Sequence, residues 1–227
     1  MIDPNFDFFI DTPAGMDPDA HSPTLRRYHH MLWSKDLPIG EKFSLAMTKD
    51  KYLQWGKFAL SSDAISNSYR GNKRMAAIIA DVQSDADELF KRGSTIGAYI
   101  IFPSYRIDRK NTINGARGMN PKIADRFDLT LECIRRHYVG EISPLSDVLQ
   151  RYGDFFELFI DFMGYVDFFL LNDLVTADDQ VDFYLPLDNF ERKGYPANSD
   201  EYRAMKEATV SFIQARTQRM LESISVK

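Results

Sequence analysis

One cysteine among 227 residues, Cys133, has nothing to pair with inside the chain. The fold therefore draws no support from an intramolecular disulfide, and a reducing cytoplasm is the expected compartment. No charged-then-apolar leader opens the chain, in keeping with that expectation. Histidine is almost as scarce: His21, His29, His30 and His137 are the whole supply. His29 and His30 are neighbours on a predicted helix and point about 100° apart. With no HExxH and no paired CxxC, no metal site built on histidine or cysteine is expected. The longest apolar run, residues 155–175, is interrupted by Glu157, Asp161, Asp167, Asn172 and Asp173. A bilayer core rejects such groups, so no membrane span is expected. The Gly-Lys-Ser/Thr ending of a phosphate loop, the GxGxxG fingerprint and the GxSxG elbow are missing as well.

What is there is aromatic. Seventeen Phe and eleven Tyr, within a 44% hydrophobic composition, predict a core of large flat side chains with tyrosine hydroxyls at its margin. That much apolar surface excludes global disorder, and 227 residues fit one core. The net charge of −5 conceals segregation along the chain. Residues 1–23 carry five aspartates and no Lys or Arg. Residues 104–137 carry eight cationic side chains against four carboxylates, and residues 141–191 carry twelve carboxylates against Arg151 alone.

Residues 1–23, with four prolines and the apolar patch Phe6, Phe8, Phe9 and Ile10, are predicted to form an extended arm packed on the domain. The remainder, 24–227, is expected to be a single α+β domain, mainly helical around a small β-sheet. Ser22-Pro23 caps and starts a first helix that ends near Trp33. Lys57 to Leu60 is a short strand candidate, and Asp63 a candidate helix cap. Asn72 to Phe90 predicts one long helix or two short ones, ending near Gly93. Ile96–Pro103 is the clearest buried strand, with a second extended segment expected over Ile107–Ile113. Asn114-Gly115-Ala116-Arg117-Gly118 reads as a loop. A helix is expected from Pro121 to Tyr138, with Ile123, Phe127, Leu131, Ile134 and Tyr138 on its apolar face. A broken helical region follows from Ser143 to Leu174, expected to be the buried centre, then a strand over Val181–Leu185. Ser199 caps a last helix.

The candidate chemistry lies in the basic segment. Arg106, Arg109, Arg117, Arg126, Arg135 and Arg136 are candidates to grip a phosphate group, with Asn114 orienting the ligand. Asp128 and Glu132 are the candidate acid and base. The competing reading makes Asp128 and Glu132, with Arg135 or Arg136, a structural ion-pair ladder. Cys133 is expected to be a small core residue rather than a nucleophile. Asp154, Glu157 and Asp161 fall on one helical face and offer a third, weaker candidate, a Mg²⁺ site.

The stretches Phe102-Pro103-Ser104, Thr112 to Gly118, Asp125-Arg126-Phe127-Asp128 through Tyr138, Ser143-Pro144-Leu145 and Tyr165 to Leu170 resemble an uncharacterised bacterial and phage family, classed as a domain of unknown function. Residues from Asp17 to Trp33, including His21 to His29, are similar to the same family's opening. The resemblance implies a prokaryotic or phage source and brings no activity, cofactor or site residue.

The residues alone give two expectations. One is a site for a phosphate-bearing ligand, a nucleotide or nucleic acid, in which replacing Arg117 and Arg126 by Ala abolishes binding at unchanged melting temperature. The other is a non-catalytic interaction protein or homodimer whose basic and acidic faces meet across an interface.

Overall fold

The computed structural model describes residues 1–48 and 52–225. The arm reaches its first helix through side chains that satisfy exposed amides. Asp17 accepts from the Asp19 amide at the start of α1 (Pro18–His21), and Ser22 accepts from the Leu25 amide at the start of α2 (Pro23–Trp33). Pro23 at the first position of α2 needs no amide partner, as its sequence position predicts. The Asp11 carboxylate takes the Ser22 hydroxyl at 2.6 Å and the Thr24 amide at 2.9 Å, tying the arm to the helix. Of the arm's apolar patch, Phe8 goes fully inside, edge-on to Tyr28 and Tyr99 at 5.8 and 5.4 Å. Phe9 and Ile10 stay 39% and 75% exposed.

One antiparallel four-stranded sheet runs in the order β1 (Ala46–Met47), β2 (Leu53–Trp55), β3 (Phe58–Ala64), β4 (Tyr99–Pro103). Trp55 opposite Phe58 leaves a two-residue turn in which Gly56 takes φ +50°, a conformation hairpin turns ask for and glycine supplies. The expected strand at Ile96 starts three residues later, because Ile96–Ala98 form a 3-10 turn. All five residues of β4 are buried, as expected of a strand covered on both faces.

Several elements differ from their sequence reading. Asp63 lies in β3, not at a helix start. Asn72 to Phe90 resolves into two short helices, α3 (Ala76–Asp81) and α4 (Gln83–Arg92), with Gly93 as the C-cap. Residues Ile107 to Lys110 make a turn in which Asp108 and Arg109 are left-handed, so no second extended segment forms. The expected Asn114–Gly118 loop is helical: α5 (Ile113–Met119) is capped by Thr112, whose hydroxyl accepts from the Gly115 amide. The helix expected at Pro121 begins later, as α6 (Phe127–Tyr138), because Ala124 and Asp125 at φ 51° and 61° keep the chain out of right-handed helix.

The Ser143–Leu174 region is broken more often than its glycines predict. It becomes α7 (Ser146–Arg151), α8 (Gly153–Phe156) and α9 (Phe162–Phe169), with 3-10 turns at Glu157–Phe159 and Asn172–Leu174. Val181–Leu185 is not a strand of the sheet. It makes one isolated bridge, from Val181 to Val175, and its Tyr184 amide is taken by the Asp128 carboxylate instead of a neighbouring strand. The last helix, α10 (Ser199–Ser225), is capped by Asn198, one residue before the expected Ser199.

The core is aromatic as the composition predicts, but its tyrosine hydroxyls are not all at the margin: those of Tyr165 and Tyr184 are buried without a hydrogen-bond partner. Phe159 packs on Tyr165, Phe168 and Phe169, and Phe169 on Tyr165 and Phe168, with ring centroids 4.9–5.3 Å apart, and Trp33 joins Phe169 at 5.3 Å. Such pairs contribute about 0.5–1.5 kcal/mol each beyond the area they bury. The most enclosed helix is α6, with every residue from Phe127 to Ile134 buried, Cys133 included. Burial pushes the Cys133 thiol up to about 12, so it is no nucleophile at neutral pH. Arg216 of α10 fastens the layers: its guanidinium donates to the carbonyls of Gly97 and Tyr99 at 2.8 Å and of Phe169 at 3.1 Å. Gly97 has no side chain because a Cβ there would meet the Ile213 carbonyl of the same helix. Among the described residues, no helix is long and apolar enough to cross a membrane.

Candidate functional site

The site is built on a charge the core cannot release. Arg117, in the middle of α5, has no exposed surface, and a buried guanidinium is tolerated only when its donors are matched. Its Nη1 donates to Asp63 Oδ2 at 2.6 Å and to the Ala64 carbonyl at 2.9 Å. Nη2 donates to the Asp125 carbonyl at 3.2 Å, and Nε to the Thr130 hydroxyl at 3.2 Å. The Asp125 carboxylate stands 3.3 Å from Nη1 and accepts from Asn67 at 2.8 Å through its other oxygen.

The backbone around Asp125 is held against its preference. Tyr69, Ala124 and Asp125 are all left-handed, and the Tyr69 hydroxyl donates to the Ala124 carbonyl at 2.7 Å. Left-handed backbone at consecutive non-glycine residues costs free energy that the Arg117 and Tyr69 bonds offset.

Above Arg117 opens a polar cleft of about 370 Å³ whose walls include Asp17, Asp19, Asp63, Asn67, Asn114 and Asp125. A second compartment of about 430 Å³ adjoins it, sharing Asp17, Asp19 and Asn114 and adding Arg106 and Thr112. The aromatic residues lining the first compartment are Phe9, Phe90 and Tyr99. Phe9 and Phe90 lie 5.1 Å apart, and the Arg70 guanidinium sits 4.5 Å over the Phe90 ring while pairing with Asp87 at 3.2 Å.

Burial, with crowding of the carboxyls second, raises the pKa values in this cleft. Burial, then the charges of Asp63 and Asp17, push the Asp19 carboxyl well above the ordinary range, against the opposing pull of the Ala64 amide and Arg117. Burial also carries Asp63 up to about 7, with Arg117 pulling it down and Asp125 pushing it further up. Burial works against the Arg117 charge, but Asp125 and Asp63 more than offset it, so the guanidinium stays charged. One oxygen of Asp19, Oδ1, is buried with no hydrogen-bond partner. Two neighbouring carboxyls that cannot both ionise cheaply can act as one proton donor and one acceptor.

The residues singled out from sequence divide in two. Arg106, Asn114 and Arg117 come together at the cleft, Arg106 in the outer compartment and Arg117 beneath the floor. The others do not join them. Arg109 lines a separate depression beside Arg151. Arg126 is buried and closes both arms of its fork on the Asp128 carboxylate, which also takes the Tyr184 amide at 3.0 Å. Glu132 is 3% exposed and receives Arg135 at 2.8 and 3.0 Å and Arg136 at 2.7 Å. Asp128 and Glu132 are thus saturated by arginines, and neither is a wall of the cleft. The ion-pair ladder describes Glu132, whereas Asp128 pairs with the residue two before it.

The weaker candidates separate in the same way. Asp154 pairs with Lys57 at 2.5 Å, Glu157 opens a 3-10 turn and Asp161 caps α9 through the Gly164 amide. Among the described residues, no group of three or more His, Cys, Asp or Glu is arranged to hold a metal ion. His29 is held between the Ser62 hydroxyl and the Trp33 indole, and burial, reinforced by the charge of Arg216, drops it to about 3.

Sequence reasoning missed Asp17, Asp19, Asp63 and Asn67. A carboxylate at a strand position flanked by small and apolar residues, as in Leu60-Ser61-Ser62-Asp63-Ala64, was the available signal. Asp17-Pro18-Asp19 gave none beyond the acidity of the arm.

Over residues 2–220 the sequence matches a family described as a Family of unknown function (DUF6994). No curated protein and no solved structure matches the chain.

Proposed function

We propose that this chain, which belongs to the DUF6994 family of unknown function, binds a small molecule in the Asp17–Asp19–Asp63–Asp125 cleft and exchanges a proton with it. The observation that carries this reading is the partnerless Oδ1 of Asp19 next to a second carboxyl with a raised pKa. A buried acceptor left unsatisfied costs about 1–3 kcal/mol. A ligand that presents a hydroxyl or N–H donor to this oxygen would recover part of that cost. In this reading the protonated member of the Asp19–Asp63 pair donates, the ionised one accepts, and Arg117 holds Asp63 in place.

A second reading keeps the phosphate-bearing ligand, a nucleotide, and rests on Arg106. That side chain lines the outer compartment beside Asn114 and Thr112, and no ion pair engages it among the described residues. It is the one guanidinium of the basic segment that faces this cleft without being committed to a carboxylate.

A thermal-shift screen of wild type and Asp19→Asn against sugars, amines, nucleosides and phosphate esters tests both, since a ligand of the native state raises apparent stability. The cleft reading requires a compound whose shift is lost in Asp19→Asn. Shifts that survive that substitution would place the ligand elsewhere. The phosphate reading further requires that the compound be a phosphate ester and that Arg106→Ala lose its shift.

A further inference from the structure

The walls of the cleft are rich in carboxyl groups. Four carboxylates, Asp17, Asp19, Asp63 and Asp125, face one compartment, and the guanidinium beneath them, Arg117, is already bonded to two of them. The other cation on that wall, Arg70, is paired with Asp87. Phe9, Phe90 and Tyr99 line the same compartment, with Phe9 and Phe90 each 39% exposed and Tyr99 buried beside Asp63 on the sheet. Carboxylates and aromatic rings lining one compartment form a recognition surface for a positively charged nitrogen, which gains an ionic contact from the first and a ring face from the second.

The chain already makes this contact once. Arg70 lays its guanidinium over Phe90 at 4.5 Å and holds Asp87 at 3.2 Å, at the edge of the same compartment. An anion entering the inner compartment would meet carboxyl groups on the same walls, with Arg117 and Arg70 already paired. A bare metal ion would lack the three-ligand arrangement that the described residues nowhere provide.

We infer that the inner compartment takes an organic cation, a primary amine or guanidinium on an aliphatic or aromatic stem, with its charged nitrogen among Asp17, Asp19 and Asp125 and its stem against Phe9. The inference rests on the reading of this cleft as the ligand site and adds the charge class of the ligand. The outer compartment, with Arg106, would then lie beyond the cationic end.

The test is calorimetric titration of the full chain with agmatine, benzylamine and spermidine, and in parallel with ribose, ribose 5-phosphate and MgCl2, on wild type, Asp17→Asn and Asp19→Asn. Asn at position 17 retains an acceptor for the Asp19 amide, so α1 keeps its cap. The expected result is binding of at least one of the three amines, weakened at least tenfold by either substitution and by 0.5 M salt (of the order at which about 3–8 Å screening lengths apply), with unchanged melting temperatures of the free variants. Failure of all three amines overturns the inference. If ribose, ribose 5-phosphate or Mg²⁺ then binds in an Asp19-dependent way, the cleft remains the ligand site and only the charge class is wrong. If no probe depends on Asp19, the site reading falls with it.

Discussion

Arg117 donates to Asp63 at 2.6 Å across the sheet and helix layers, and neither side chain is more than 5% exposed. The pair joins β3 to α5 beneath the cleft. Removing one partner of such a pair leaves the other charged or unpaired in the core, at about 3–5 kcal/mol. Arg117→Ala is therefore expected to lose stability of that order in urea unfolding. Arg117→Ala combined with Asp63→Asn should recover part of the loss, and strict additivity of the two would show that the contact carries no coupling.

Arg126 and Asp128 make the same case at the start of α6. Their side chains are 4% and 0% exposed, and Asp128 also holds the Tyr184 amide. Arg126→Ala should lower the melting temperature by about 6–20 °C, taking about 3–5 kcal/mol for the broken pair and about 2–4 °C per kcal/mol at this chain length. This reverses the expectation drawn from sequence, in which Ala at positions 117 and 126 left stability untouched. A melting temperature within two degrees of wild type, read by circular dichroism, would restore the ligand-gripping role.

The pH dependence of stability follows from Asp63. Its carboxyl rises from the ordinary 3.8 to about 7 in the folded chain, through burial first, with Asp125 and Asp17 adding and Arg117 opposing. Between those values the folded state binds more protons than the unfolded one, so this group's contribution is fully present below pH 4 and is lost as pH rises toward 7. Relative to wild type, Asp63→Asn should show a flatter urea midpoint between pH 4.5 and 7. The Asn side chain still accepts from Arg117, which separates titration from loss of the contact. Parallel profiles for the two proteins would show that Asp63 is ionised across the whole range.

How much of this was legible in sequence depends on whether short-range pattern or long-range pairing decided each element. Ser22-Pro23 marked α2 because capping and proline geometry are local. Tyr99–Pro103 was legible because a short apolar, β-branched run has few other uses. The Asn114–Gly118 segment was misread because two glycines look like a loop, while the Thr112 cap and the deep anchoring of Arg117 hold it helical. The start of α6 was misplaced because the left-handed backbone at Ala124 and Asp125 depends on Arg117 and Tyr69, far away in sequence. The cleft was least legible: its carboxylates come from α1, β3 and the turn before α6, and only folding brings them together.

Ile160 separates local strain from strain held for function. It sits at φ 70° and ψ −59°, and the Asp161 amide donates to the Phe159 carbonyl at 2.8 Å, closing a three-residue turn that is rare and strained. A β-branched side chain is the least suited to positive φ, and this one is 62% exposed, so packing contributes little to hold it. Strain of this kind costs about 1–3 kcal/mol, against about 0.5–1 kcal/mol for the extra freedom glycine has in the unfolded chain. Ile160→Gly is accordingly expected to raise stability by about 1 kcal/mol. Ile160 is not a wall of the cleft, so ligand affinity there should not change. A loss of stability would mean that the Ile160 side chain packs more usefully than its exposure indicates. A gain in stability accompanied by a change in cleft affinity would mean that the turn between α8 and α9 is coupled to the site, because strain retained at no local benefit is then serving the ligand.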